Sequence, residues 1–202
     1  MIEVAQDGAV WTMTLSRQEK ANALSREMLV ELADAISHAA GLPDTRAIIL
    51  TGAGKVFSAG ADLDAARAGL ATDPVWERLS AAIAGAPCLT IAALNGTAAG
   101  GALGMVLAAD LRVSVPGASI FYPVMKHGFL PQPSDPIRLA ALVGPARAKL
   151  ILMAGQKISA EDARAFGLID VITETPLETA RALAADACGA KASHVAGIKA
   201  MI

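Results

Sequence analysis

The chain has 202 residues, of which 54% are apolar and only 3% aromatic, and it carries a formal net charge of −2. That length suffices for one domain with a sizeable core, which must be packed from Ala, Leu, Ile and Val. A near-neutral balance without a basic stripe argues against nucleic acid, and no run of about 18 apolar residues free of charge, Gly or Pro argues for a membrane span.

The N-terminus alternates as a hairpin, Ile2–Val4 and Val10–Leu15, around the turn Gln6-Asp-Gly8. Its opening residues lack the basic and long apolar regions of a secretory signal, so a cytoplasmic location is expected. Leu24 to Ala40 has helical apolar spacing, with Ser25 placed as N-cap. Arg46–Leu50 reads as a buried strand. A polar, Pro-interrupted stretch with a helix near Pro74–Ala84 leads to a strand at Cys88–Leu94. A helix from about Gly100 to Ala109, a strand at Asp110–Val115 and a Pro/Gly-rich loop from Tyr122 to Pro136 follow. Helices near 136–143, 145–154 and 160–166, a strand at 169–172 and a helix at 176–188 complete the pattern. Strands alternating with helices imply an α/β class. Cys88 and Cys188 lack metal-type spacing and read as reduced thiols, with no metal or cofactor expected.

Two small-residue turns carry the chemistry. The first runs Thr51-Gly-Ala-Gly-Lys-Val-Phe-Ser-Ala-Gly-Ala-Asp-Leu63, and the second runs Asn95-Gly-Thr-Ala-Ala-Gly-Gly-Ala-Leu-Gly104. Small residues let backbone approach a ligand, and a helix start after a glycine pair offers unpaired N–H donors. Two such turns aimed at one oxygen would form an oxyanion hole. A phosphate loop is excluded because Ile49 and Val56 stand where it needs Gly and Ser or Thr, and Phe57 breaks a dinucleotide fingerprint.

Read in full, these turns resemble the crotonase (enoyl-CoA hydratase/isomerase) superfamily. Gly52, Gly54, Phe57, Ser58, Ala59, Gly60, Asp62 and Leu63 fit its first pattern. Asn95, Gly96, Ala98, Gly100, Gly101, Asp110 and Arg112 fit its second. Arg17-Gln-Glu-Lys-Ala-Asn-Ala-Leu24 is similar to a third segment, with Gln18 in place of the usual proline. The resemblance implies a spiral of repeated strand-strand-helix turns over residues 1–190. It makes residues 191–202 the remnant of a truncated C-terminal helical region. It also implies an acyl-CoA thioester as substrate, with coenzyme A as part of that substrate, and a homo-trimer or hexamer. The implied oxyanion donors are the N–H groups of Ala61 and Gly101. Backbone near Lys20, Ala21, Ala59, Gly60, Asp62, Leu63 and Gly100 would hold the rest of the ligand, with Asp62 capping the following helix.

Where the resemblance implies two glutamates as proton carriers, this chain has Gly104 and Val124. Neither can move a proton, so ordinary hydratase activity is expected to be absent or weak. Substitutes lie in the Tyr122–Asp135 loop. His127 is of a type common in proton transfer, and Tyr122 can donate a hydrogen bond. Asp135 reads as the first turn of the next helix, behind Ser134 as N-cap. Gln132 stands where some relatives that shift double bonds carry an aspartate, but an amide does not titrate. Two readings follow: an enzyme that stabilises an enolate with non-standard acid–base chemistry, or a non-catalytic acyl-CoA-binding protein. A serine hydrolase lacks a legible triad, Ser58 being structural in the pattern it belongs to.

Overall fold

A computed structural model describes residues 1–202. β1 (Ile2–Asp7) and β2 (Val10–Leu15) form the expected antiparallel hairpin, with Gly8 at a φ of +57° in the turn. α1 (Arg26–Gly41) follows, its Ser25 Oγ accepting the Met28 N–H, and buries Met28, Leu29, Leu32, Ala33, Ile36 and Ala39 along one stripe. Next come β3 (Ala47–Gly52), β4 (Val56–Ser58), α2 (Leu63–Arg67), α3 (Val75–Ala84), β5 (Leu89–Leu94) and β6 (Thr97–Ala99). The chain continues through α4 (Leu103–Ala108), β7 (Leu111–Ser114), β8 (Ser119–Phe121), α5 (Val124–His127), α6 (Asp135–Val143) and α7 (Pro145–Leu152). β9 (Ile158–Ser159), α8 (Ala160–Phe166), β10 (Val171–Ile172), α9 (Pro176–Leu183), α10 (Ala185–Gly189) and α11 (Ala192–Lys199) complete it.

The strands sort into two sheets. The larger has the order β1-β2-β3-β5-β7-β10, parallel from β2 onward, and the smaller has the order β4-β6-β8-β9. All six residues of β3 are buried because both faces of the larger sheet are covered. Ile48 and Leu50 face the main core with α1 and α3, while Ala47 and Ile49 face Ala180 and Ala184 at the end of α9. Each of β3, β5 and β7 runs through a short turn into β4, β6 or β8 and then into helix, giving the repeated strand-strand-helix turn. That repeat sets the turns between the two sheets side by side.

Several elements depart from the pattern read in sequence. β4, β6, β8 and β9 are two or three residues long, too short for any periodicity to register. The helix placed from Gly100 starts as a 3-10 turn over Gly100–Ala102, and α4 begins at Leu103. The Tyr122–Pro136 segment contains the one-turn helix α5, closed by Gly128 at a φ of +72°. The helix placed over 176–188 breaks at Ala184 into α9 and α10. Residues 192–199 form α11, whose Lys199 Nζ donates to Asp110 Oδ2 at 2.8 Å and to the Cys88 carbonyl at 3.1 Å. Both cysteines are free, and burial pushes the Cys88 thiol up to about 11 and raises that of Cys188. No helix is long and apolar enough to cross a membrane.

Candidate active site

Two asparagines fasten the first turn. Buried Asn22, at a φ of +53°, accepts the Arg17 N–H on Oδ1 and donates Nδ2 to the carbonyls of Ala53 and Val56. Asn95 accepts the Gly52 N–H at 3.0 Å and donates to the carbonyls of Gly54 and Val56. The space beside the glycines is filled by backbone. A Cβ on Gly52 would lie 2.5 Å from the Val56 carbonyl, and one on Gly96 would lie 2.0 Å from the Lys55 carbonyl. Ser58 is structural as expected, its Oγ donating to the Asn22 carbonyl and accepting the Gly60 N–H.

This fastening brings the two turns together. Gly60 sits at a φ of +90°, and a Cβ there would lie 2.7 Å from the Ala99 carbonyl and 3.3 Å from the Gly101 nitrogen. Leu24 donates to the Gly60 carbonyl and Asp62 donates to the Leu24 carbonyl, so the pairing of Leu24 with Ala61 occupies the groups flanking Ala61 and leaves its N–H without a chain partner. The Gly101 N–H belongs to the first turn of the 3-10 segment, where no intrahelical acceptor exists. A Cβ on Gly101 would press on the Trp76 ring at 3.1 Å. Trp76 is buried and fixed by donating Nε1 to the Leu70 carbonyl at 2.8 Å.

Ala61 and Gly101 line one cavity of about 320 Å³, shared with Tyr122, Val124, His127 and Gln132. Ala59, Leu63 and Gly100 line it too. Ala59 donates its N–H to the Ala21 carbonyl at 3.0 Å, which brings Ala21 alongside, whereas Lys20 lies exposed in the preceding turn. Asp62 caps α2 as expected, accepting from Asp64 and Ala65 and pairing with Arg17 at 3.1 Å. The Ala65 N–H, ahead of its other partners, holds the Asp62 carboxyl below its ordinary value.

The loop candidates separate. His127 is exposed on α5 at the cavity's edge, and Val124 is buried in its wall. Asp135 departs from the capping reading: it is fully buried, and its Oδ2 accepts the Tyr122 hydroxyl at 2.9 Å. Ser134 makes no side-chain cap either, since its Oγ donates to Glu77 Oε2 at 3.0 Å and accepts from Arg138. The physical reason is direction: the entry to α6 turns the Asp135 side chain inward, toward Tyr122, instead of back along the helix start. Burial pushes the Asp135 carboxyl up to about 6, against the opposing pull of the Tyr122 hydrogen bond and Arg138, with Glu77 adding to the rise. Burial, then the neighbouring Asp135 charge, drives the Tyr122 phenol far above its ordinary value, so it stays protonated.

Gly104 does not open onto the cavity. A Cβ there would meet Ser80 Oγ at 2.9 Å and both terminal atoms of Gln132 at 3.2 Å. The Gln132 carboxamide therefore occupies the volume that a side chain at 104 would enter. Its Nε2 is 3.5 Å from the Gly101 carbonyl, and its Oε1 has no donor. Sequence reading set Gln132 aside because it does not titrate and had no signal linking residues 104 and 132. Tyr122 and Asp135 were both in view, but not as a pair.

A family model described as Enoyl-CoA hydratase/isomerase matches residues 5–202. The Mycobacterium tuberculosis protein named "Probable enoyl-CoA hydratase EchA14" is 37% identical over 200 residues, covering 96% of this chain and 78% of its own. A solved enoyl-CoA hydratase from Bacillus anthracis superposes with a TM-score of 0.91 at 31% identity, over 98% of this chain and 80% of the other. An enoyl-CoA hydratase/isomerase structure from Pseudoalteromonas atlantica gives 0.92 at 28% identity, over 99% and 81% respectively.

Proposed function

The chain belongs to the enoyl-CoA hydratase/isomerase family, and from that membership we propose that it binds an acyl-CoA thioester, holds its enolate, and exchanges the Cα proton through Tyr122 and Asp135. The thioester carbonyl accepts hydrogen bonds from the N–H groups of Ala61 and Gly101. Charge that moves onto that oxygen is stabilised by donors already in place, in a site partly screened from water. The Cα–H bond breaks as its proton passes to the Tyr122 oxygen and the phenol proton passes to Asp135 Oδ2. The bonding pair becomes the enolate, and the reverse transfer restores the thioester.

The observation that carries this reading is the buried Tyr122–Asp135 hydrogen bond behind the cavity that Ala61 and Gly101 share. A carboxylate held near 6 is a suitable proton acceptor at neutral pH. A trimer or hexamer is proposed from family membership, and sedimentation would measure it.

The test is deuterium uptake at Cα of acyl-CoA thioesters in D2O, followed by mass. Uptake is expected to rise with pH through about 6, as Asp135 ionises, and to be lost in Asp135→Asn and Tyr122→Phe. Undiminished uptake in both variants would remove the relay. The rival reading, a non-catalytic acyl-CoA-binding protein, is favoured by the absence of a carboxylate at Gly104 and Val124. It predicts thioester binding with no uptake across the panel.

A further inference from the structure

The Asp135 carboxyl receives one hydrogen bond, from Tyr122 to Oδ2, and its Oδ1 has no donor. A single bond does not fix the plane of a carboxyl, so its direction depends on the backbone that carries it. That backbone is poor in donors of its own. Pro131, Pro133 and Pro136 surround Asp135 in the segment Pro131-Gln-Pro-Ser-Asp-Pro136 and contribute no N–H. The Asp135 N–H goes to the Gln132 carbonyl at 3.1 Å, within the segment itself. Ser134, by contrast, is tied to another element by one carboxylate. Glu77 Oε2 accepts the Ser134 N–H at 3.3 Å and the Ser134 hydroxyl at 3.0 Å. Arg138 Nη1 donates to the same hydroxyl oxygen at 2.7 Å, which leaves the hydroxyl proton for Glu77.

Glu77 follows Trp76 on α3, and Trp76 is the residue that backs Gly101. α3 packs on α4 and α4 on α6, while the Glu77 bonds join α3 to the entry of α6 directly. Glu77 does not line the cavity. It also places a charge near Asp135. The other groups acting on that carboxyl are the Tyr122 phenol and Arg138, one turn along α6. α4 has no ionisable residue, and Arg147 and Lys149 of α7 are exposed.

We propose that Glu77 is a positioning residue for proton transfer: acting through Ser134, it aims the Asp135 carboxyl at Tyr122 and holds that pair in register with Gly101. The inference rests on the Tyr122–Asp135 relay above and adds a residue that touches neither the thioester nor the proton. A misaimed acceptor slows the transfer without weakening the binding of the thioester. A lost charge does something else: without the Glu77 carboxylate Asp135 ionises more readily, so uptake begins at lower pH.

Deuterium uptake from D2O into acetyl-CoA, butyryl-CoA and 3-hydroxybutyryl-CoA, measured against pH and thioester concentration, separates the two contributions. Glu77→Ala loses both, and its maximal rate is expected to fall about tenfold or more with KM within about twofold. Glu77→Gln keeps an acceptor for Ser134, so its rate should recover to within about threefold of wild type. Its midpoint should still move down by about half a pH unit. Ser134→Ala keeps the charge and the N–H bond, so it should lose rate with its midpoint unmoved, and it serves if Glu77→Ala fails to fold. An unchanged rate in folded Glu77→Ala or Ser134→Ala overturns the inference, as does a loss confined to KM. So does a Glu77→Gln variant as slow as Glu77→Ala with an unmoved midpoint. In each of these cases the relay stands, provided that Asp135→Asn abolishes uptake. Uptake that survives in Asp135→Asn, or is missing from the wild type, removes the relay and the inference with it.

Discussion

In the proposed function the rim formed by residues 59–61 and 100–101 works through backbone groups, whereas the wall formed by Tyr122 and Asp135, with Gln132 beside them, works through side chains. The rim is held from several directions: Asn22 and Asn95 bind the first turn, Ser58 ties Gly60, and Trp76 backs Gly101. The wall keeps two buried acceptors unpartnered, Gln132 Oε1 and Asp135 Oδ1. Apart from the Ala61 and Gly101 N–H groups the rim is paired and fixed in place, while a buried acceptor without a partner is costly until one reaches it. The proposed division of labour follows: the rim holds the thioester, and the wall moves the proton.

The largest effect should come from breaking the rim. Gly60→Ala combines an unfavourable positive φ with a Cβ 2.7 Å from the Ala99 carbonyl, forcing the two turns apart. Loss of a single preorganised donor costs about 100- to 1000-fold in turnover, so displacing both should abolish deuterium uptake. A near-normal rate in this variant would mean that the turns do not act together. At the wall, Asp135→Asn should lower uptake by about 100-fold or more, the scale of a lost proton acceptor.

The same substitution should raise stability at pH 8, because it removes a charge from a fully buried position while keeping an acceptor for Tyr122. The direction follows from proton binding. Asp135 holds its proton up to about 6 when folded, against 3.8 for an ordinary aspartate. Its contribution to stability is therefore present below pH 4 and is lost as pH rises through 6. At about 1.4 kcal/mol per pH unit, the wild type should lose at most about 3 kcal/mol across this window relative to Asp135→Asn. Denaturant midpoints of the two proteins at pH 4.5 and pH 8 would measure the gap, and a constant gap would mean that Asp135 is not held as described. The smallest effect is expected at His127, exposed at the cavity edge. His127→Ala should leave uptake within about twofold, as surface changes away from the chemistry usually do, and a large loss would move the proton-handling site to the mouth.

The comparison also separates what the sequence made legible from what it did not. The rim was readable because close backbone approach needs small residues at fixed spacing: a Cβ on Gly52, Gly60 or Gly96 would run into backbone, and one on Gly101 would press on Trp76. The α1 cap at Ser25 and the hairpin were readable for the same local reason. The wall was not. Tyr122 and Asp135 are thirteen residues apart across α5 and an irregular stretch, and nothing in that spacing turns one side chain toward the other. Gly104 and Gln132 meet because α4 packs against α6, a contact that no spacing in the sequence announces. The small sheet escaped for want of length.

The two thiols bear on a hazard specific to thioester ligands. Acyl groups pass from coenzyme A to protein cysteines by attack of a thiolate, and the fraction of thiolate is set by the local environment of the sulfur. Cys88 is buried and pushed up to about 11, and Cys188 is raised as well, in each case chiefly by desolvation. At neutral pH both remain thiols, so the chain offers almost no nucleophilic sulfur for transthioesterification. In the proposed function, which holds an activated acyl group for the lifetime of an enolate, the chain is thereby spared from acylating itself.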